Sequence, residues 1–390
     1  MDVAGGTALQ FDGLAAIRGD PLLLAAVAAG VVLVLALGWL LFHRLTRTTG
    51  ERLARVLGQY DEISVLMHPN PDPDAMSAAL AIDTLAESVD TETTMQYPGQ
   101  IRHQENRAFE TVLNVDFECV ESSADLAGEA VVLVDHNQPR GFSGAESVDP
   151  VAVVDHHPGD GSGTAFTDVR SETGACASIF AEYFREMGWE PVGPDDIGTV
   201  ENGEATLEPL VSTGLVYGVQ SDTKSLTSGC SGAEFAAAEY LYPGVDEELL
   251  DRIANPQVDA EVLDIKATAI AERDVRSPFA ISDVGTVSNV DAIPQAADEL
   301  HRLEGVTAVV VLGHRDGTLH LSGRARDDRV HMGKTLRAVI EDIPMAGAGG
   351  HARMGGGQIS LEHMEGIGPS GGLGREELKE ELFAAMGGDI

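Results

Sequence analysis

The longest apolar run lies near the N-terminus: PLLLAAVAAGVVLVLALGWLLF, residues 21–42, carries no charge. At ~1.5 Å rise per residue a helix of that length reaches ~33 Å, enough for a ~30 Å hydrocarbon layer. The pattern predicts one N-terminal transmembrane helix. A cleaved signal peptide is the rival reading, but residues 1–20 carry Asp2, Asp12 and Asp20 with only Arg18, a poor match to a basic leader. Arg44, Arg47, Arg52 and Arg55 follow the span, so the positive-inside bias predicts a single-pass protein of the cell membrane with its C-terminal bulk in the cytoplasm.

After a juxtamembrane stretch, 43–57, short apolar runs alternate with helical periodicity. EISVLMH ends at His68, AVVLVDH at His136 and VAVVDHH at His157. The last two are apolar on both alternating faces, as expected of central strands in a parallel sheet covered by helices. Helical spacing runs over 74–89 and 172–187. Together these predict an α/β domain over 58–245 with an open, mostly parallel sheet. Residues 246–277 are charged and helical in pattern, a connector. A smaller α/β or α+β domain follows over 278–365, with strands near 279–287, 307–312, 319–323 and 358–361 and helices near 292–303 and 331–342. Residues 366–390 open on a glycine-rich run and read as a peripheral tail.

Charge narrows the partners. The formal net charge is -38, from 63 acidic against 25 basic residues, and the lysines are Lys224, Lys266, Lys334 and Lys379 alone. Acid spread along the whole chain suggests a solvated surface adapted to high salt, a halophilic character. Such a surface repels polyanions at low ionic strength and argues against a long nucleic-acid footprint. Molar salt shortens screening to ~3 Å and mutes that objection. Cys119, Cys176 and Cys230 are odd in number and widely separated, so neither a disulfide framework nor a thiolate metal site is indicated.

In open α/β sheets ligands gather beyond the carboxyl ends of the strands, and here those ends carry the chemistry. His68 closes the first strand and leads into HPNPDPDA, which places Asp72 and Asp74 in a proline-stiffened loop that opens a helix. Asp135 closes the second, and Asp155, His156 and His157 the third. Asp222 ends the apolar run GLVYGVQSD. Carboxylates and imidazoles that converge repel one another unless cations neutralise them, which points to divalent metal. A donor set of imidazole nitrogen and carboxylate oxygen without thiolate suits Mn2+, with Mg2+ or Co2+ as substitutes. His68, Asp72, Asp74, Asp135, His156 and Asp222 exceed what one ion needs. Two ions roughly 3.5–4 Å apart, sharing one carboxylate, would use them all.

HPNPDPDA, Asp135 at a strand end, DHH at Asp155 to His157 and GVQSDT around Asp222 resemble, in order, the four motifs of the DHH phosphoesterases. LSGRARDD from Leu321 and GAGGHARMGGG from Gly347 resemble the type-1 DHH-associated domain. The match runs roughly from Gly58 to Leu361. The resemblance implies that His68 and Asp72 bind one metal, that Asp74, His156 and Asp222 bind the other, and that Asp135 bridges them. It also implies that His157 faces the substrate phosphate and that Asp155 orients the DHH histidines. Ser322 and Arg324, with Gly349, Gly350 and His351, would bind substrate. The sequence departs from the family pattern in two places: Ala348 stands for its first glycine, and Lys224 and Ser225 follow the fourth motif.

The function expected from this resemblance is hydrolysis of phosphodiester bonds in short oligoribonucleotides (nano-RNA) or cyclic dinucleotides such as cyclic di-AMP. The expected partners are that short nucleotide and, through 21–42, a lipid bilayer; a homodimer is left open. The rivals are a 3′-phosphoadenosine 5′-phosphate (pAp) phosphatase, a RecJ-like single-strand exonuclease, a family II-like pyrophosphatase and a nucleotide receptor that binds without cutting.

Overall fold

The computed structural model describes residues 47–101, 103–197, 205–364, 366 and 372–388, together with 25–26, 28–35 and 38. The apolar segment 21–42 therefore lies largely outside the described residues. Its positions 28–35 are helical, and no helix among the described residues is long and apolar enough to cross a membrane. The chain divides into two compact units. The first runs to Ile101 and over Ala108–Ala254; the second runs from Asn255 onward with a short piece that ends at Arg107.

The first unit begins with α1 (Thr49–Leu57), whose Thr48 and Glu51 cap each other's backbone amides. Then come β1 (Glu62–Leu66), α2 (Pro73–Glu87), β2 (Glu92–Pro98), α3 (Gln104–Leu113), β3 (Glu118–Val120), β4 (Ala130–Val134), β5 (Ala152–Asp155), β6 (Phe166–Val169) and α4 (Cys176–Glu186). A small pair, β7 (Glu190–Pro191) and β8 (Thr206–Leu207), precedes α5 (Pro209–Asp222), α6 (Gly232–Leu241) and α7 (Glu247–Ala254). The six strands pair in parallel in the order β3-β2-β1-β4-β5-β6. The chain thus builds outward from β1 to β3 and returns to lay β4 on the other side of β1. That reversal is a topological switch point, where an open parallel sheet leaves a crevice at its carboxyl edge.

The two faces of this sheet are covered unequally. One carries a thick apolar layer in which Ala75, Ala78, Ile82, Phe180, Phe184, Leu215 and Val219 pack on Ile63, Val65, Val132 and Val154. Among the described residues, the other buries Leu66, Val120, Leu133 and Val153, under Leu126 and Phe142 from the strand connections. The sequence pattern led us to expect helices there. Strands as short as four or five residues need only a few such side chains to keep water off that face, each worth about 1.5–3 kcal/mol when fully buried.

Helices α2 and α5 matter most for the site, because one begins and the other ends at a carboxylate. Their close approach depends on glycine: a Cβ on Gly218 would lie 2.3 Å from Ser77 Oγ and 3.2 Å from Ala177 Cβ. Overpacking of this kind costs roughly 1–3 kcal/mol. Gly218→Val is therefore expected to lower the unfolding free energy by that amount, with a lower denaturation midpoint, and to weaken Mn2+ binding. An unchanged midpoint with unchanged metal affinity would show that the helices have room to move apart.

The second unit comprises α8 (Ala260–Ala271), β9 (Arg273–Arg276), β10 (Phe279–Thr286), α9 (Ala292–Leu300), β11 (Ala308–Arg315), β12 (Thr318–Ala325), α10 (Met332–Ile340), β13 (Gly347–Gly350), β14 (Met354–Ser360), α11 (Leu361–Met364) and α12 (Arg375–Gly387). Its sheet runs β13-β14-β12-β11-β10-β9, antiparallel except for β10 with β11. One face packs on α8 and α9 through Val262, Ile265, Ala296 and Leu300. The other packs on α10 and α12 through Leu336, Ile340, Leu378 and Leu382.

Two features differ from the sequence pattern. The residues read as a peripheral tail include α12, whose Leu378 and Leu382 are fully buried and whose Phe383 and Met386 nearly so. Their spacing is a helical stripe diluted by five Glu and Lys residues from Glu376 to Glu381 that face outward or tilt along it. The glycine-rich run at Gly347–Gly357, for which the pattern predicted no strand, forms two paired strands. Glycine is needed there because α10 starts against the backbone: a Cβ on Gly333 would lie 2.4 Å from Gly350 O, and one on Gly355 would lie 3.1 Å from Gly333 N.

Candidate metal centre

His68 follows β1, Asp135 follows β4 and His156 follows β5, so three neighbouring strands deliver them to one edge on either side of the switch point. Asp72 is the N-cap of α2 and accepts from Asp74 N and Ala75 N, both at 3.1 Å. That satisfies amides the helix leaves open and fixes the carboxylate beside His68. Asp74, fully buried, reaches across to the start of α4 and accepts from Cys176 N at 2.6 Å and Ala177 N at 2.8 Å. Residue Ala175 has no side chain to cap that helix, and Asp74 does it instead. Asp222 lies in the last turn of α5, where the helix dipole disfavours a carboxylate by about 0.3–1 kcal/mol. A cation would reverse that sign.

Ligand atoms of His68, Asp72 and Asp135 lie within 4.8 Å of one another, as do those of Asp74, His156 and Asp222, and those of Asp135, His156 and His157. Asp135 links the groups with its two oxygens: Oδ2 is 3.4 Å from His68 Nε2 and Oδ1 is 3.2 Å from His156 Nε2. Its side chain is 1% exposed, its backbone is left-handed at φ 60°, and its amide donates to Val154 O at 2.9 Å. Neither carboxylate oxygen has a hydrogen-bond partner, and nor does His156 Nε2. A buried carboxylate left unpaired costs several kcal/mol, so these orphaned atoms call for a cation between the groups.

The imidazoles are turned to suit. His68 Nδ1 lies 3.1 Å from Pro69 O and His156 Nδ1 lies 3.1 Å from Thr173 O. With each Nδ1–H donating to a carbonyl, both Nε2 lone pairs face the carboxylates, as metal-binding histidines require. Burial pulls both imidazoles down, but Asp135 and Asp72 outweigh it and hold His68 up to about 11, while Asp135 and Asp222 hold His156 up to about 12. Burial raises Asp135 too, yet His156 and His68 bring it below the usual carboxylate range. Burial, then Asp135 and Asp222, push Asp74 well up. Protons thus gather where the carboxylates demand positive charge. Asp72, Asp74, Asp135 and Asp222 with neutral imidazoles carry four negative charges, which two divalent cations would balance. The donor set fits oxygen- and imidazole-binding ions such as Mn2+ or Mg2+.

His157 is half-exposed. Its Nδ1 lies 2.9 Å from Asp155 Oδ1, which also accepts from His157 N at 3.0 Å, so Nε2 is left for a ligand. Asp155 therefore orients His157 but not His156; Thr173 O is the partner of His156. The other Asp155 oxygen accepts from Asn137 Nδ2 at 2.8 Å. Sequence reasoning passed over both Thr173 and Asn137. Asn137 carried a signal, since it stands two residues past a strand-end Asp, whereas a backbone carbonyl leaves none. His136 is buried with Nδ1 at Val134 O, 2.9 Å away, and lies outside the three ligand groups.

Beyond Asp222 the backbone passes through three left-handed residues, Lys224, Ser225 and Leu226, at φ 49°, 56° and 62°. Each costs about 1–2 kcal/mol outside glycine. The turn is held by Ser225 N to Gln220 O at 2.7 Å and Leu226 N to Thr223 Oγ1 at 3.0 Å. Here the sequence departs from the family pattern, and the backbone is strained at the same residues.

In the second unit, Ser322 and Arg324 share a face of β12, with Arg324 Nη1 donating to Ser322 Oγ at 3.2 Å. Asp298 of α9 grips Arg324 through Nε at 2.5 Å and Nη2 at 3.2 Å, a partner without a sequence signature. Gly349 pairs with Gly356 and Gly350 with Gly355 between β13 and β14. His351 follows, exposed, with its amide donating to Met354 O at 2.8 Å.

Comparison with known proteins fits this geometry. Residues 62–205 match the DHH family, N-terminal domain, and residues 276–367 match the DHHA1 domain. The uncharacterized protein MJ1633 of Methanocaldococcus jannaschii is 32% identical over 343 residues, 88% of this chain and 65% of that protein. The cyclic-di-AMP phosphodiesterase GdpP of Geobacillus thermodenitrificans is 26% identical over 330 residues, 80% of this chain and 47% of that protein. The chain thus spans less than two thirds of the length of either curated relative. An exopolyphosphatase-related protein of Bacteroides fragilis has the same fold, with a TM-score of 0.58 at 13% identity over 87% of this chain and 96% of that one. Motifs, domain matches and fold agree, and the chain belongs to the DHH family, with a DHH domain followed by a DHHA1 domain.

Proposed function

We propose that this chain is a metal-dependent phosphodiesterase that hydrolyses short oligonucleotides or cyclic dinucleotides. The observation that carries the reading is Asp135: a buried carboxylate without hydrogen bonds that turns one oxygen to each ligand group. His68 and Asp72 would hold one divalent cation and Asp74, His156 and Asp222 a second, with Asp135 between them. Bound there, such a pair lowers the pKa of a water to near neutrality and neutralises charge on phosphorus.

The chain's own residues then have defined tasks. His157, fixed by Asp155, presents Nε2 to a phosphate oxygen. Arg324 and His351 in the second unit would offer a cation and a hydrogen-bond donor to an anionic group of a nucleotide. An anchor over 21–42 would tether the protein to a membrane with its catalytic units in the cytoplasm. GdpP, the relative named for cyclic di-AMP, makes that dinucleotide the first substrate to test.

The deciding experiment is hydrolysis by Mn2+-reconstituted protein at high salt. Its arms are cyclic di-AMP, pApA, short RNAs, 3′-phosphoadenosine 5′-phosphate, pyrophosphate and a long single strand. Turnover of the dinucleotides and shortest RNAs supports the reading. Faster digestion of the long strand would favour an exonuclease, and binding without product a receptor.

Arg324→Ala is expected to raise KM for the preferred nucleotide roughly 10- to 100-fold, the loss of one charge-assisted hydrogen bond of ~1.5–3 kcal/mol. Mn2+ affinity should not change. Loss of metal in this variant would mean that the second unit has been given the wrong task.

A further inference from the structure

We propose that Glu234, on α6, is a positioning residue that sets the aim of the metal ligand His156 through the backbone of residues 173–177; this rests on the two-cation reading of the site. Glu234 is fully buried. Its Oε1 accepts from Gly174 N at 2.8 Å, and its Oε2 accepts from Ser231 N at 2.5 Å and Ser231 Oγ at 2.8 Å. One carboxylate therefore joins the start of α6 to the segment between β6 and α4.

That segment carries the carbonyl which orients His156. Thr173 O, 3.1 Å from His156 Nδ1, directly precedes Gly174. The segment is pinned on both sides: Arg170 N donates to Asp155 O at 2.9 Å and Thr173 N to Arg170 O at 3.0 Å, while Asp74 takes Cys176 N and Ala177 N. Between these pins Glu234 holds the peptide that joins Thr173 to Gly174, and so the carbonyl itself. Gly174 lets the contact form, since a Cβ there would lie 2.5 Å from Gly229 O and 3.1 Å from Glu234 Cδ. Release of Gly174 N lets the Thr173 carbonyl rotate, and His156 Nε2 then loses its fixed direction towards Asp74 and Asp222. Partners that orient a ligating histidine typically contribute about 10- to 100-fold in metal affinity.

The test is titration of the metal-free full chain with Mn2+ alone, followed by calorimetry or by the spectrum of free Mn2+, with no substrate present. Glu234→Ala should weaken one binding step about tenfold or more. The step belonging to Asp74, His156 and Asp222 is identified by its loss in Asp222→Asn. Ser231→Ala, which removes a helix cap but leaves the Gly174 contact, should lower the unfolding midpoint of the metal-free protein without moving that step. Glu234→Gln keeps an acceptor for Gly174 N and should recover most of the affinity. Equal affinity in wild type and Glu234→Ala overturns this inference alone, as does an equal loss in Ser231→Ala. Wild type that binds no Mn2+ overturns it together with the two-cation reading.

Discussion

Asp135→Asn is expected to abolish hydrolysis, by at least about 1,000-fold or roughly 4 kcal/mol in the barrier, while the protein stays folded. The substitution keeps size and shape, and asparagine tolerates the left-handed backbone of this position about as well as aspartate does. In the metal-free protein it also removes the negative charge that the protonated His68 and His156 pair with. The midpoint of the metal-free variant should therefore fall below that of the metal-free wild type, while the apolar core that holds the unit together is untouched. Both Mn2+ steps should weaken together, because one carboxylate faces both ligand groups. His157→Ala should behave differently: it keeps Mn2+ and loses rate, since His157 is half-exposed and directs Nε2 away from its Asp155 partner. Full activity in Asp135→Asn, or loss of only one Mn2+ step, would remove the bridging role and the mechanism built on it.

The residues that converge at the candidate metal centre were legible because they are written at strand ends. His68, Asp135 and His156 each follow an apolar run, and strand alternation with chain reversal at the switch point brings them together. Asp74 and Asp222 were legible as acids in the right motifs, but not for what their helices do. Nothing in GLVYGVQSD announces that it is a buried helix whose Gly218 lets α5 approach α2, because an apolar run with two glycines has little helical periodicity. The partners that aim the ligands were hidden for a related reason. Thr173 acts through a carbonyl, and Asp74 caps a helix more than a hundred residues further on. Only tertiary packing shows contacts of this kind. The glycine-rich end of the second unit was legible as a motif but not as structure, since only packing shows that its glycines let α10 lie close against β13 and β14.

Metal loading should release protons and strengthen as pH rises. In the metal-free protein the carboxylates hold His68 up to about 11 and His156 up to about 12, against an unfolded value near 6.5. A raised histidine contributes stability that is complete below pH ~6.5 and is lost progressively as pH climbs to the folded value. Metal-free protein should therefore lose stability steadily above about pH 6.5. Cations that take the Nε2 lone pairs must displace those protons, so binding of two ions near pH 7.5 should release about two from the histidines, plus whatever Asp74 still carries. Calorimetry of Mn2+ binding in buffers of different ionisation enthalpy measures that number directly. The gap in unfolding midpoint between Mn2+-loaded and chelator-treated protein should widen from pH 6 to 9. At free Mn2+ about 100 times the dissociation constant, one site alone adds roughly 2.7 kcal/mol. Binding without proton release would mean that His68 and His156 are already neutral in the metal-free state, and that the carboxylates around them are not acting as the cation trap described here.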